Sequence, residues 1–170
     1  SGINNGANLG QDRFYSGTIA AAREASFRGI KSFSVSLVNN DYEKKGNYSA
    51  ATFFIEKILE KNVPALMPEN TLLNINVPSL EIKDIKGIRL TEPGIQNYSE
   101  EVIERHDFRD TKYYWVGGRY EGSESILGSD CNCIKEDCIS VNLQSFNSQD
   151  TVEVKKKLEE VINCIYQEDF

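Results

Sequence analysis

Helical and strand-like patterns alternate through the first 80 residues, and this alternation restricts the fold more than any other feature of the sequence. Strands separated by helices usually pair in parallel, because the helix carries the chain back across one face of the sheet. The pattern therefore predicts an α/β fold with a mainly parallel sheet. The predicted order is a helix that begins near Thr18 and stops at Gly29, a strand over residues 31–38, a helix over residues 49–61 and a strand over residues 72–78.

The two predicted helices carry recognisable terminal signals. Ser16 or Thr18 is a natural N-cap for the first helix, and Gly29 suits its C-terminal end. The second helix is followed by Pro64, which cannot continue a helix. A polar loop is predicted between strand and helix, over residues 39–48. The apolar stripe that predicts the buried face of the second helix consists of Ala50, Phe53, Phe54, Ile58 and Leu59.

The second half of the chain has a different organisation. Strand-like runs follow one another without long helical segments between them, which predicts antiparallel hairpins attached to the α/β part. The runs cover residues 87–91, 112–116 and 138–143, with a weaker candidate over residues 98–106. A last helix is predicted over residues 151–167, capped by Asp150 or Thr151, with an apolar face made of Val154, Leu158, Val161, Ile162 and Ile165.

The predicted domain organisation has three parts. Residues 1–80 form part of the α/β core, residues 81–150 form a β-rich extension, and residues 151–170 form the C-terminal helix. The 170-residue chain is long enough to bury a core of its own.

Charge and composition exclude several functional classes. The chain has 19 Lys and Arg against 26 Asp and Glu, a net charge of −7, so non-specific binding to nucleic acid or anionic membranes is not expected. No apolar run approaches the ~20 residues that span a bilayer. The polar start lacks the pattern of a signal peptide. Three of the four cysteines are crowded together, which is not a disulfide framework, so we expect a cytoplasmic protein with reduced thiols.

The opening segment carries the most informative chemistry. It supplies the amides of Asn4, Asn5 and Asn8, followed by a Ser16-Gly17-Thr18 turn that enters the first helix. A helix N-terminus presents free N–H groups that bind phosphate, and an Asn oxygen is a ligand for hard cations such as Mg²⁺. The alternative is a capped helix that simply follows a glycine-rich turn.

Several strings of this sequence, in order along nearly the whole chain, resemble the SurE family of stationary-phase survival proteins. The opening motif is the most specific of them. The matching strings are Ser1-Gly2-Ile3-Asn4, Asn8-Leu9-Gly10, Tyr15-Ser16-Gly17-Thr18, Leu73-Asn74-Ile75-Asn76-Val77-Pro78, Gly87-Ile88-Arg89-Leu90-Thr91, Tyr113-Tyr114-Trp115-Val116-Gly117-Gly118 and Gly128-Ser129-Asp130.

The resemblance implies a three-layer αβα sandwich and a 5′/3′-nucleotidase, a hydrolase of the acid-phosphatase type that uses Mg²⁺ or Mn²⁺ to act on nucleoside monophosphates. Asn4 matches the family's metal-ligating asparagine, and Asn8, Ser16, Gly17 and Thr18 match its phosphate-binding residues. The family also has two adjacent aspartates near its start, which this chain lacks, so the catalytic residues stay unassigned and we expect a C-terminal portion of such an enzyme. The alternative is a non-catalytic phosphate-binding or assembly domain.

The same resemblance implies a homodimer or tetramer that exchanges C-terminal elements and uses the β-rich extension, residues 81–150, for oligomerisation. The alternative is a C-terminal helix packed on its own domain. Other candidate residues have structural interpretations. Asp12 is expected to cap or orient its loop, and His106 lies in a charged turn. Tyr113, Tyr114 and Trp115 are expected to pack, although they could stack on a base. Cys131, Cys133 and Cys138 have spacing that a zinc or redox site could use, but ordinary strand or loop cysteines are favoured.

Overall fold

A computed structural model of the chain describes residues 1–39, 45–99, 101–146 and 152–169. Residues 40–44 of the predicted polar loop, and the predicted caps Asp150 and Thr151, lie outside these ranges. The strands are β1 (Asn4–Asn5), β2 (Ser32–Val38), β3 (Thr71–Pro78), β4 (Gly87–Leu90), β5 (Gln96–Tyr98), β6 (Glu101–His106), β7 (Lys112–Gly117), β8 (Tyr120–Ser123) and β9 (Cys138–Ser145). The helices are α1 (Gly17–Phe27), α2 (Ser49–Glu60), α3 (Asp130–Lys135) and α4 (Val152–Asp169).

The main sheet has five strands in the order β1-β2-β3-β9-β4. β1 pairs with β2, β2 with β3, and β4 with β9 in parallel, while β9 runs antiparallel to β3. The prediction of a mainly parallel sheet is confirmed. β4 and β9 come from the segment expected to form a separate β-rich extension, and they complete the main sheet instead. The ribbons β5–β8 and β6–β7 are the parts of that segment that stand apart from it.

The predicted alternation of side chains along the strands gives the sheet two different faces. Leu73, Ile75 and Val77 point to one face and form a core with apolar residues of α2 and α4. Asn74 and Asn76 point to the other face, where Ile19 and Ala22 of α1 pack against Leu72. With helices on both faces, the sheet forms the expected three-layer αβα sandwich.

The polar face of the sheet is buried and hydrogen-bonded rather than solvated. Ser34 donates to the Asn74 side chain at 3.0 Å, and the Thr91 and Ser140 hydroxyls lie 2.8 Å apart. The Asn142 amide donates to the Thr91 carbonyl at 2.6 Å. Buried polar groups without such partners would cost about 1–3 kcal/mol each, so this network offsets most of the cost of burying a polar sheet face. Among the described residues, the side-chain oxygen of Asn142 and the side-chain nitrogen of Gln144 are buried on this face without a hydrogen-bond partner.

The two long helices differ in how well their buried faces were predicted. In α4, Leu158, Ile162 and Ile165 are buried in the core, as expected. In α2, Ala50, Phe54 and Ile58 are buried, but Leu59 is 56% exposed, so its assignment to the buried stripe is wrong. Residues 58 and 59 lie about 100° apart around the helix, and Ile58 is the one that faces the sheet.

α4 packs against β4 of its own chain. Its exchange between subunits stays a prediction.

On the ribbon β6–β7, Tyr113, Tyr114 and Trp115 are exposed, so the expectation that these aromatic residues pack is wrong within the described residues of this chain. His106 ends β6 at an exposed position opposite Lys112.

Candidate functional site

The carboxyl ends of β1, β2 and β3 lie at one edge of the sheet, because these three strands are parallel. Ligands of α/β proteins usually bind at this edge. The chain leaves β1 at Asn5 and turns over the polar face, with the Gly6 N–H bonded to the Leu37 carbonyl at 2.9 Å. This turn brings the predicted site residue Asn8 onto the sheet.

Asn8 is buried and held by the polar sheet face. Its N–H donates to the side chain of Asn76 at 2.9 Å, and its carbonyl accepts from the amides of Asn74 and Asn76 at 2.9 and 3.1 Å. Its own side-chain nitrogen donates to the Ser36 hydroxyl at 2.6 Å. These contacts explain why Asn74 and Asn76 alternate with apolar residues along β3. The sequence shows this alternation but does not show which group the two asparagines bind. They fix the loop in one position.

Asn4 and Asn8 have Ser36 as a common neighbour. Asn4 pairs with Ser36 in the β1–β2 register, and the Ser36 hydroxyl accepts from the side chain of Asn8. The side-chain nitrogen of Asn4 donates to the Gly6 carbonyl at 3.0 Å. This bond orients the amide and uses only its nitrogen. The side-chain oxygen of Asn4 is an atom of the type that hard cations bind.

The residues described here fit one cation ligand rather than a complete cation site. Within residues 1–39, 45–99, 101–146 and 152–169, no group of three or more His, Cys, Asp or Glu side chains could hold a metal ion. The amide oxygen of Asn4 has the chemistry of a ligand for the Mg²⁺ or Mn²⁺ that the sequence resemblance implies. No further ligand is assigned here.

The turn Ser16-Gly17-Thr18 forms the N-terminus of α1, as predicted. Ser16 is the N-cap, and its hydroxyl accepts from the Ile19 N–H at 3.1 Å. A Cβ atom on Gly17 would meet nothing within 4 Å, so the backbone there is open to an approaching group. The first turn holds no acidic residue. Both features favour an anion at this end of the helix.

A short 3-10 helix, Gly10–Phe14, connects the Asn8 loop to this turn. Gly10 has a positive φ of 52°, and a Cβ there would lie 2.6 Å from the Gly94 carbonyl oxygen, so only glycine fits. The Ser16 hydroxyl bonds only to the start of α1, so it does not link the turn to Asn8. The short 3-10 helix therefore joins the two predicted parts of the site, Asn8 and the Ser16-Gly17-Thr18 turn.

Asp130 anchors this connection, and the sequence analysis did not assign it a role. The carboxylate is 1% exposed and accepts three backbone N–H groups, from Gly10 at 2.9 Å, Gly94 at 2.7 Å and Cys131 at 2.8 Å. Ser129 caps α3 just before it. The Gly128-Ser129-Asp130 string was noted as a family match, which is the signal that could have identified this anchor.

Asp12 has the structural role that was expected of it. Its carboxylate accepts from the Gln96 side-chain nitrogen at 2.5 Å and from the Tyr98 hydroxyl. Gln96 also donates to the Leu9 carbonyl at 3.2 Å. These bonds tie the ribbon β5–β8 to the loop that carries the predicted site residues.

A cleft of about 690 Å³ opens between that loop, the ribbon β5–β8 and α3. Ala7 and Leu9, the neighbours of Asn8, line one side. Tyr98 and Tyr120 line the ribbon side, and Cys131 and Ile134 line the α3 side. Since Val38 and Asn39 at the end of β2 also border it, the cleft lies at the carboxyl edge of the sheet.

The three cysteines around α3 are buried free thiols. The Cys133 thiol donates to the carbonyls of Cys138 at 3.6 Å and Ile139 at 3.4 Å. Burial is the largest cause that raises the pKa of Cys133, and likewise of Cys131, to about 12. A thiol that resists ionisation is a poor metal ligand and a poor nucleophile, so these contacts favour packing over the zinc and redox interpretations.

The fold defines an α/β protein with a cleft of small-molecule size at the carboxyl edge of its sheet. A family model described as "Survival protein SurE" matches residues 1–100, which is more than half of the chain. The chain belongs to the SurE family.

Curated relatives agree with this assignment. The chain is 41% identical over 141 residues to the 5′-nucleotidase SurE of Natranaerobius thermophilus, covering 83% of this chain and 54% of that protein. It is 38% identical over 157 residues to the 5′-nucleotidase SurE of Caldanaerobacter subterraneus subsp. tengcongensis, covering 92% and 60% respectively. The chain therefore spans little more than half the length of these relatives.

A solved structure is similar as well. The crystal structure of the SurE protein from Aquifex aeolicus superposes with a TM-score of 0.69 at 30% identity, covering 94% of this chain and 64% of that one. Across the residues that the structure describes, no helix has the length and apolar character required to cross a membrane.

Proposed function

We propose that this protein contributes to a divalent-cation-dependent phosphomonoesterase that hydrolyses nucleoside monophosphates, a 5′/3′-nucleotidase. Membership of the SurE family and relatives named 5′-nucleotidase support the reaction class. The observation that carries the proposal within this chain is that Asn4 and Asn8 are both neighbours of Ser36, at the edge of the sheet where α/β proteins bind ligands.

The proposed phosphate contacts come from residues of this chain. The N–H groups at the start of α1, with the hydroxyls of Ser16 and Thr18, would bind the phosphoryl oxygens, and Gly17 allows close approach. An amide nitrogen carries two hydrogens, so Asn8 retains one for the phosphate after donating to Ser36. The family match of these residues supports the same roles.

The proposed cation would be held in part by the oxygen of Asn4. When bound, Mg²⁺ or Mn²⁺ neutralises charge on the phosphoryl group and orients the reacting oxygens. Asn4 itself would only position the cation, because an amide does not exchange a proton near neutral pH. The group that activates water is not assigned to any residue of this chain.

The test is phosphate release from nucleoside monophosphates by the 170-residue chain, with and without Mn²⁺. Asn4→Ala should abolish the Mn²⁺-dependent rate. Asn5→Ala is the matched control, because it removes the same group from the adjacent, exposed position of β1 and should keep the rate. Equal, measurable Mn²⁺-dependent rates for wild type and Asn4→Ala would contradict the proposed role of Asn4.

The absence of a three-membered ligand cluster among the described residues favours one alternative, a non-catalytic phosphate-binding or assembly domain. A folded chain that binds phosphate without releasing it from nucleotides would support that alternative. In ³¹P NMR, phosphate binding should then weaken in Thr18→Ala.

Assembly into a homodimer or tetramer stays a prediction, as does exchange of α4 between subunits. The exposed apolar side chains of the ribbon β6–β7, Val102, Trp115 and Val116 among them, support a contact between copies. Light scattering across a concentration series would test it. The cytoplasmic location is likewise a prediction from the sequence.

A further inference from the structure

Two arginines lie without a counter-ion on the face of the sheet that packs against α1. Arg13 belongs to the short 3-10 helix and Arg23 to α1, and both residues are half-buried. Among the residues that the structure describes, neither guanidinium has an ion pair, and the Nε atom of Arg23 is buried without a hydrogen-bond partner. A guanidinium that is partly removed from water loses hydration that a bound anion would replace.

Arg23 lies over the end of β9. Its guanidinium carbon is 5.7 Å from the centroid of the Phe146 ring, and the Phe146 N–H bonds to the Asn70 carbonyl, which continues the β3–β9 pairing. Gln144 lies two residues before Phe146, so both side chains point to the same face. That face is the one towards α1, because Gln144 pairs with Leu72, which packs on α1. The side-chain nitrogen of Gln144 is a second buried donor without a partner.

Asn142 adds a buried acceptor to the same face. It is 3% exposed and lies two residues before Gln144, opposite Asn74. Its side-chain nitrogen donates to the Thr91 carbonyl at 2.6 Å, which fixes the orientation of the amide. Its side-chain oxygen is buried without a hydrogen-bond partner among the described residues. A buried oxygen of this kind is costly unless a bound molecule donates to it.

Arg13 lies near these amides as well. Glu92 and Arg23 are both close enough for their charges to act on the Arg13 guanidinium. Glu92 directly follows the residue whose carbonyl accepts from Asn142. Arg13 is therefore near the Asn142 end of this polar row, and Arg23 lies at the other end.

The local charge stays positive. Burial is the largest cause that lowers the pKa of Arg13. The carboxylates of Asp130 and Glu92 raise this pKa, and the like charge of Arg23 lowers it. Both carboxylates are engaged elsewhere, since Asp130 accepts three backbone N–H groups and Glu92 is paired with Lys155. An anion between the two guanidinium groups would offset their repulsion, and guanidinium N–H groups match the oxygens of phosphate and carboxylate.

We propose that these residues form a binding site for hydrogen phosphate, the two-arginine site, made of Arg13, Arg23, Asn142 and Gln144. The arginines and the Gln144 nitrogen supply donors to its oxygens. At neutral pH hydrogen phosphate also carries one O–H group, which can donate to the buried oxygen of Asn142. A carboxylate or a sulfate has no such hydrogen and leaves that oxygen without a donor. None of the four residues lines the cleft at the carboxyl edge, and the site does not depend on the reaction proposed for this protein.

The first measurement is titration calorimetry with inorganic phosphate in the absence of a divalent cation. Arg13→Gln and Arg23→Gln should each weaken binding about tenfold or more, because each removes a charge-assisted hydrogen bond. Arg28→Gln is the matched control and should bind like the wild-type chain, since Arg28 is the C-cap of α1 and its exposed side chain is paired with Glu24.

Thr18→Ala separates this site from the proposed phosphate contacts at the start of α1. Binding that depends on Arg13 and Arg23 should persist in this variant. Phosphate binding that weakens in Thr18→Ala but not in the two arginine variants would overturn the two-arginine site and retain the contacts at the start of α1. Absence of phosphate binding to the wild-type chain would also overturn the site.

Urea unfolding distinguishes a binding role of Arg23 from packing on Phe146. In phosphate-free buffer, Arg23→Gln should not lower the midpoint, because it removes one of two like charges and breaks no ion pair of the described residues. Added phosphate should raise the midpoint of the wild-type chain much more than that of Arg23→Gln. Equal responses to phosphate in the two chains would overturn the site.

A comparison of phosphate with sulfate tests the acceptor of the site. Sulfate has the same tetrahedral shape but carries no hydrogen at neutral pH, so it presents only acceptors to the Asn142 oxygen. It should bind about tenfold more weakly than phosphate, or weaker still. Equal affinities for the two anions would overturn the assignment to hydrogen phosphate.

Discussion

Asp130→Asn is expected to destabilise the fold strongly, although it replaces only one non-hydrogen atom. The Asp130 carboxylate is 1% exposed and accepts N–H groups from Gly10, Gly94 and Cys131, at 2.9, 2.7 and 2.8 Å. One carboxylate oxygen accepts from Gly94 and Cys131, and the other accepts from Gly10. These bonds join the loop after β1, the segment before β5 and the start of α3.

The magnitude follows from these contacts. An asparagine oxygen can replace the oxygen that accepts two bonds, but its NH₂ group then faces the Gly10 N–H, and two donors oppose each other. An unsatisfied buried donor costs roughly 1–3 kcal/mol, and two charge-assisted bonds that become neutral lose about 0.5–1.5 kcal/mol each. The expected loss is about 2–6 kcal/mol, a large share of the ~5–15 kcal/mol that stabilises a typical domain.

Urea unfolding followed by far-UV circular dichroism would measure this loss as a lower midpoint at an unchanged slope. Asp137→Asn is the control, because Asp137 has an exposed ion pair with Lys86 and a positive φ of 59° that Asn tolerates. Its cost should stay within ~1 kcal/mol. A loss for Asp130→Asn no greater than that of Asp137→Asn would refute the anchoring role.

Two further predictions concern the core and the thiols. Leu158→Ala, at a position with 0% exposure in α4, should cost about 2–5 kcal/mol of unfolding free energy, whereas Leu59→Ala, 56% exposed in α2, should cost less than ~1 kcal/mol. Similar urea midpoints for the two variants would contradict the packing of α4 on this sheet. Because burial raises the pKa of Cys131 and Cys133 to about 12, iodoacetamide at pH 8 should label half-buried Cys164 first and label Cys131 and Cys133 only in urea. Mass spectrometry reads the labelling, and equal labelling of Cys131, Cys133 and Cys164 in the folded chain would argue against inert thiols.

The sequence predicted the elements whose signals are local. α1 begins after the Ser16 cap, α2 ends before Pro64, and β3 ends at Pro78, each within a residue or two of the expected bounds. Caps and prolines act within one turn of the chain, so their effect does not depend on the rest of the fold. The apolar face of α4 could also be predicted from the sequence, because a long amphipathic helix buries one face.

The sequence did not predict α3, which covers only Asp130–Lys135. Six residues are too few for a helical period to show, and the Asp130 at its start bonds to partners 36 and 120 positions away along the chain. The weak strand expected over residues 98–106 is divided between β5 and β6, which pair with different partners. Pairing partners depend on the rest of the ribbon and not on the strand's own pattern.

For the candidate site, the sequence alone determined the residue types and their order: amides near the start, a glycine-containing turn, and a capped helix behind it. The tertiary structure decided what these residues contact. The pairing of β1 with β2 makes Asn4 and Asn8 common neighbours of Ser36, and the ribbon β5–β8, which lies outside the main sheet, sets Tyr98 beside Asp12. Local patterns specify which segments form strands and helices, whereas the neighbours of each strand follow from burying all the apolar faces at once, and that requirement belongs to the whole chain.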